Sequence, residues 1–549
     1  MNLAQDGVGQ LCSEQLPEGS RIRLSAPLGA EQAELSRGAA TWQRRLQGTT
    51  ALYSLLWLLA ANLVGLWLAI ILIWPSLGKL AGEFTYGRWM PLHMDWQLYG
   101  WCALPLVGLL MRYFLSEEDG ADAYLGFIAW SVALGLGGVL SLHGVVSGKL
   151  FLNWAGLGRV AFPVAQVVLW AILLRASFVR WQRRGKIDTK QVIQAVLLVL
   201  LLASPISLFW TAGANVYPPI DPESGGATGH SLLASSLGIL AIFGVLPPIL
   251  QVPSREDSES GCRGVTCHKI MSLSNGDPRR GIAANATRAS QVTPLHITPA
   301  ARRGRLYLLA FISSVVGWLV LDHGNAANTQ PGQILGLGIL LLWVPLLLQY
   351  YRAYAWPEGL RLWLGAFLFW WGFLTVSGFI SFLPGVLDVM KFTNGLVAHA
   401  HLAMVGMVGA LNMLVLGSLG RAEAGDPWSD RFAFWLWQAG TLIYVLSMLT
   451  QGVREGLDPT VLIGANAGTS ILYGVRLLAG GLLVVANVRW LRALEKVRRS
   501  SKAPSQPREG DRLGRSEGFP SSQMIKCIRS HRTTPTWQAS DPSFGKEGS

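Results

Sequence analysis

Charge is what this 549-residue chain has least of. Asp, Glu, Lys and Arg make up 14% of it, where a soluble domain carries about a quarter. Cysteine is also scarce: five residues, an odd number, scattered along the chain, which gives no disulfide framework. The apolar stretches lack the alternating polarity of a membrane β-barrel. The first 45 residues are polar and the first apolar run is far too long for a secretory leader, so no cleaved signal is expected. With 51% hydrophobic residues and a mean hydropathy of +0.36, an ordinary soluble enzyme and a disordered scaffold are both excluded. What is present in quantity is Trp (23) and Gly (62), which fit membrane helices with aromatic interfaces and close packing. The chain reads as an all-α, polytopic membrane protein.

A membrane-spanning helix needs roughly 20 mostly apolar residues. About twelve such stretches follow one another, beginning near Ala51, His93, Ala123, Leu157, Gln191, His230, Arg305, Gln333, Arg361, Gly395, Arg431 and Ser470. Three parts lie outside this 51–499 core: the polar segment 1–45, an insert at 253–303 and a tail at 500–549. The insert and the tail are rich in Ser, Arg, Gly and Pro and are expected to be disordered.

The net charge of +13 resides in the tails and in one set of connections, with no basic stripe for a phosphate backbone, so nucleic acid is not an expected partner. The charge instead orients the bundle. With the N-terminus inside, the same-side connections carry Arg180, Arg183, Arg184, Lys186 and Lys190, then the basic insert, then Arg352, Arg361, Arg421 and Arg431. The opposite side holds GANVYPPIDPESGGATG and HGNAANTQPG, which contain neither Lys nor Arg. Both termini are expected inside.

Of nine histidines, His268, His296 and His531 fall in the insert and the tail. The other six, His93, His143, His230, His323, His399 and His401, all sit at the outer ends of their helices in this topology. One interfacial histidine is most often a solvated side chain; six in one layer point to function, because ionisable groups at membrane depth are costly. His399 and His401, two residues apart on a helix, project about 200° apart. They cannot share one metal ion and would serve two centres on opposite faces. Imidazole is the usual axial ligand of haem iron.

At these residues the chain resembles the catalytic subunit (subunit I) of the haem–copper oxidase superfamily, closest to the cbb-type cytochrome c oxidases. GRWMPLH (87–93) resembles the start of the family's second helix and KFTNGLVAHAHLAMVG (391–406) its tenth. GHSLLASSLGIL (229–240) resembles the sixth, and FWLWQAGTLIYVLSM (434–448) and VRLLAGGLLVVANVRW (475–490) the last two. The resemblance implies a multi-pass respiratory-chain terminal oxidase of a bacterial inner membrane that reduces dioxygen. Its cofactors would be two b-type haems, one low-spin and one high-spin. His93 and His401 would hold the low-spin haem and His399 the high-spin one. His230 would be the first ligand of a second metal. Arg476 and Lys391 lie at the depth of the haem propionates, as does Arg88, although snorkelling commonly explains a single interfacial cation. Cytochrome c or quinol would be the donor, and partner subunits with c-type haems are implied, since no such module is present here.

Two departures from the family bear on the chemistry. Its seventh helix ends in two adjacent histidines; here the place reads VLDHGN, so the second-metal set would be His230, His323 and Asp322. Two imidazoles and a carboxylate suit non-haem iron better than copper; equally, Asp322 would merely cap the helix end. The stretch AFISSVVGWLVLDH also lacks the family's active-site tyrosine, and the helix centres hold no Glu or Lys to suggest a proton path from inside. These absences bear on oxygen reduction and proton pumping, not on haem binding. Nitric oxide is the alternative substrate, and a non-catalytic haem electron carrier or gas sensor the alternative class. A transporter would place its polar groups near midplane, which is not the pattern. CRGVTCH (262–268) is two residues too long between its cysteines for a c-type haem site and lies on the inner side. NAT (285–287) is inside too, where it would not be glycosylated. His143 has no family counterpart and reads as an interfacial side chain.

Overall fold

Inside a bilayer no water reaches a stray N–H or C=O, so each must find a partner within the protein. The computed structural model describes residues 28–255 and 299–502, apart from breaks at 81, 150, 185–187, 218, 421–424 and 464–465. Most of the insert and of the tail, and with them the CRGVTCH and NAT motifs, lie outside the described residues. Among the described residues there is no strand, only isolated bridges, and the longer helices, apart from short ones such as Pro75–Leu80 and Val386–Met390, form twelve successive segments. These are α1 (Leu28–Ile73), α2 (Tyr86–Asp95, Trp96–Cys102 and Leu104–Phe114), α3 (Gly120–Leu142), α4 (Gly156–Arg184), α5 (Thr189–Thr211) and α6 (Gly229–Ile249). They continue with α7 (Pro299–Leu319), α8 (Pro331–Arg352), α9 (Arg361–Phe382), α10 (Asn394–His401, Leu402–Val408 and Gly409–Ser418), α11 (Arg431–Leu457) and α12 (Ala467–Lys502).

Ten of these are long and apolar enough to cross a membrane. The other two are α2, which is interrupted, and α7, whose first turns carry Arg302, Arg303 and Arg305. Two boundaries differ from the sequence reading. The first helix begins at Leu28, not near Ala51, and so reaches back into the polar 1–45 segment. The ends of the 253–303 insert are ordered: Arg255 N donates to Ala353 O at 3.2 Å, Ala355 N donates to Pro253 O at 2.8 Å, and α7 begins at Pro299.

Proline costs α6 two hydrogen bonds, and tyrosine replaces them. Pro247 and Pro248 have no N–H to give to the carbonyls four residues back, Phe243 and Gly244. Tyr351 Oη donates to Phe243 O at 3.1 Å and Tyr350 Oη to Gly244 O at 2.6 Å, both from α8. The same rule explains the treatment of α2 and α10, which widen to π-helix over Trp96–Cys102 and Leu402–Val408 and so loosen the carbonyl ladder. There Trp130 Nε1 donates to Tyr99 O at 2.8 Å, Asn412 Nδ2 to Trp101 O at 2.8 Å and Trp437 Nε1 to Val405 O at 3.0 Å. The C-terminal end of α5 is closed by cations: Lys149 Nζ donates to Thr211 O, and at 2.5 Å to Val216 O in the loop beyond, and Arg159 Nε to Phe209 O at 2.8 Å.

Tryptophan is used inside the bundle as well as at its edges. Trp101, Trp343, Trp363, Trp370, Trp437 and Trp490 are all fully buried, and several indoles donate across to a neighbouring helix, as Trp371 does to Trp343 O at 3.3 Å. Lipid tails are as apolar as leucine, so helices in a membrane need such polar cross-links as well as packing. The most enclosed span is α10, 72% buried against 17% for α5. It is the helix that carries two of the six layered histidines.

Candidate haem-binding site

The site is built around the first turns of α10. Thr393 caps them, its Oγ1 accepting from Gly395 N at 3.1 Å. Gly452 of α11 lets the two helices touch: a Cβ there would run into the backbone of Gly395. His401 then faces α2 and α11. Its Nδ1 donates to Val397 O at 2.8 Å, and its ring stacks on Tyr444 with centroids 4.1 Å apart and planes at 24°. Across from it stands His93 of α2, whose Nδ1 donates to Ala61 O of α1 at 2.7 Å. The two imidazoles lie 6.3 Å apart between centroids, with planes 20° apart. His399 points to another side of α10, against Gly378 of α9, and its buried Nδ1 has no partner.

These residues fit haem. A histidine whose Nδ1–H is held by a backbone carbonyl has its tautomer fixed, leaving Nε2 as the metal donor. Both His93 and His401 meet that condition. The two rings, facing each other across 6.3 Å, would hold a haem between them. His399 offers a third imidazole, half-buried and turned to a different neighbour.

Arg476 of α12 is buried beside this pair. Its guanidinium lies 5.3 Å from the centroid of the Tyr444 ring, Nη1 donates to Asn394 Oδ1 at 3.4 Å, and Nε has no partner. Lys391 is half-buried and paired with Asp388 at 3.1 Å. Arg88 is engaged elsewhere, with Glu83 at 3.3 Å and Leu142 O at 2.9 Å. His143 is exposed, 3.8 Å from Glu83, in keeping with an interfacial side chain.

The second-metal position is less complete. His230 of α6 and His323, after α7, come within 5.0 Å between ring centroids, and Trp318 packs edge-on to His323 while donating to His230 O at 3.1 Å. His230 has both ring nitrogens near hydroxyls, Thr228 Oγ1 at 3.0 Å and Ser231 Oγ at 3.4 Å. Asp322 does not join them. Its exposed carboxylate accepts from Gly324 N at 2.8 Å and so closes its own turn. Among the described residues no three His, Cys, Asp or Glu side chains form a metal site. His230 and His323 are brought together, while the Asp322 carboxylate is turned to Gly324 N.

The loop carrying His323 is tied down by Asp221, fully buried in the connection before α6. Burial alone would raise its pKa. Hydrogen bonds from the Ser224 hydroxyl and from the N–H groups of Glu223, Asn328 and Ser224 outweigh that and hold it below the ordinary 3.8. Asn328 in turn donates to Phe382 O of α9 at 3.3 Å.

Three further residues belong to the site. Tyr444 lies within the quoted FWLWQAGTLIYVLSM, but only the packing of α11 on α10 brings it to His401. Glu455 is buried and accepts from Asn394 N at 2.7 Å and Asn394 Nδ2 at 2.6 Å, pinning the start of α10. Asp95 is buried two residues after His93, with Oδ1 unpaired. The rule that singled out the histidines, an ionisable group at membrane depth, applies to it equally.

No family model matches the chain and no curated protein matches it in sequence. A match among solved structures is a haem–copper terminal oxidase, determined as a dimer by cryo-EM. It aligns over 85% of this chain and 85% of its own, with a TM-score of 0.50 and 12% identity. The chain shares its fold with that oxidase. The shared feature is an all-helical membrane bundle, and the chain is a multi-pass membrane protein with at least ten helices able to span.

Proposed function

We propose that this chain is a haem-binding subunit of a membrane respiratory oxidoreductase. The observation that carries the reading is the facing pair His93 and His401, each with Nδ1 held by a backbone carbonyl and Nε2 left free. Haem supplies reversible one-electron chemistry when held by two histidines, and gas binding when one axial position stays open. His93 and His401 are assigned to a low-spin haem and His399 to a high-spin one, both b-type. The carbonyls of Ala61 and Val397 keep the ligand tautomers, and Tyr444 holds the His401 ring in place. Arg476 brings a buried, partly unpaired guanidinium to the same end, suited to a haem carboxylate; Lys391 is assigned the same role in exchange for its contact with Asp388. Electrons would enter at the histidine end, on the outer face of a bacterial inner membrane, from cytochrome c or quinol and through c-type partner subunits. Dioxygen is the proposed substrate, with nitric oxide as the alternative, and His230 with His323 is the pair proposed for copper or non-haem iron.

A second reading has its own support. The Asp322 carboxylate accepts from Gly324 N, and no third ligand joins His230 and His323 among the described residues, which favours a haem protein that carries electrons or senses a gas without a second metal. The test of the shared core is a pair of variants read by absorption spectra. His401→Ala should lose the six-coordinate low-spin bands and keep the carbon-monoxide-sensitive ones; His399→Ala should do the reverse. The same spectrum from both variants would overturn the two-faced assignment.

A further inference from the structure

A cleft of about 290 Å³ opens between α1 and the start of α3, lined in part by Trp42, Arg45, Thr49, Glu117 and Tyr124. It lies at the end of the bundle away from the histidine layer. Both helices begin their apolar spans here, at Gly38 and Glu117, which places the cleft at headgroup depth, where aromatic residues gather. Trp42 is half-buried, Tyr124 is exposed, and their neighbours Leu46 and Ala123 make a buried apolar wall. Thr49 Oγ1 donates to Tyr124 Oη at 3.2 Å across the floor.

The charges around this cleft are paired with two exceptions. Arg44 meets Asp426, Glu118 meets Arg183, Asp119 meets Arg180, and Asp122 meets Arg175. The side chains of Arg45 and Glu117, both exposed, have no hydrogen-bond or ion partner among the described residues, and they do not meet each other although both line the one cleft. A cation and an anion held apart across a pocket ask for a ligand with the complementary pair. We propose that the cleft binds a zwitterionic phospholipid headgroup with a primary ammonium, an ethanolamine phospholipid. Its phosphodiester accepts from the Arg45 guanidinium, its ammonium donates to the Glu117 carboxylate, and its glycerol end lies along Leu46 and Ala123. A choline headgroup has no N–H for Glu117, and a glycerol headgroup has no cation for it. The site does not depend on the haem assignment.

The test uses purified, delipidated full-length protein titrated with short-chain phosphatidylethanolamine, phosphatidylglycerol, phosphatidylcholine or inorganic phosphate. Bound lipid is counted by native mass spectrometry and checked by the shift in unfolding midpoint. The expected result is one saturable phosphatidylethanolamine per chain, weakened by about tenfold or more in Arg45→Gln and again in Glu117→Gln, since each removes a charge-assisted hydrogen bond. Phosphatidylglycerol should bind more weakly and respond to Arg45→Gln alone. Arg183→Gln, a charge change at a paired neighbour, should leave the affinity unaltered. Equal binding of phosphatidylcholine or phosphatidylglycerol, saturation by inorganic phosphate alone, or full phosphatidylethanolamine affinity in Glu117→Gln would each overturn the proposal.

Discussion

His93 has little freedom in its position. Its Nδ1 is held by Ala61 O, and its ring fills the space over Gly65, where a Cβ would come within 2.6 Å of Cε1. Gly65→Ala is therefore expected to displace the imidazole and remove the low-spin haem bands while leaving carbon monoxide binding at the His399 centre; an unchanged spectrum would contradict the packing. Asp221 gives a prediction in pH. Its folded pKa is below the ordinary 3.8, so its contribution is fully present above that value and is lost as the pH falls through the folded one. Protection of the Ser224 and Asn328 amides from hydrogen exchange, taken relative to the free-peptide rate at each pH, should fall on acidification below about pH 4, and Asp221→Asn should show low protection that varies little with pH. At this scale the histidines were legible in the sequence because chemistry and spacing pick them out of apolar surroundings. Gly65, Tyr444 and the local turn that claims Asp322 were not, because each acquires its role from a neighbour that only the fold supplies.

The helices themselves obey one rule, that freed carbonyls are answered from next door. Pro247 and Pro248 announce a broken ladder in α6 from the sequence alone, but nothing there says that Tyr350 and Tyr351, about a hundred residues later, repair it. Tyr351→Phe leaves Phe243 O buried without a donor and is expected to cost about 1–3 kcal/mol of stability, read as a lower unfolding midpoint in mild detergent. Adding Pro247→Ala restores a backbone N–H to the same carbonyl and should return most of that loss, a coupling that a double-mutant cycle measures. Independent, additive effects would contradict the repair. The π segments follow the same logic. They come directly after Asp95 and His401, in the two helices that carry the facing histidines, and no periodicity in a run this apolar reveals a change of register. Propensity and hydropathy specify that a helix exists; its irregularities are set by what packs against it.

Across the whole molecule, ten of the expected spans were legible because hydropathy and length nearly decide the matter in a bilayer. The start of α1 was not, since a polar helix extends beyond the apolar run. The orientation rests on charge: the connections at the histidine end are poor in Lys and Arg, and Lys149 and Arg159 there are occupied in capping α5. A fluorescent reporter fused after Lys502 is expected to mature on the inner side of the membrane; a reporter active only outside would reverse the assignment of both termini and of the electron-entry face. The reading as a haem protein rests on three half-buried imidazoles, two of them on α10 and one facing it, and haem content tests it most directly. Purified protein should carry two haems per chain, of which one, and only one, shifts its reduced spectrum with carbon monoxide. A protein free of haem, or one whose haem survives replacement of His93, His399 and His401 together, would contradict it.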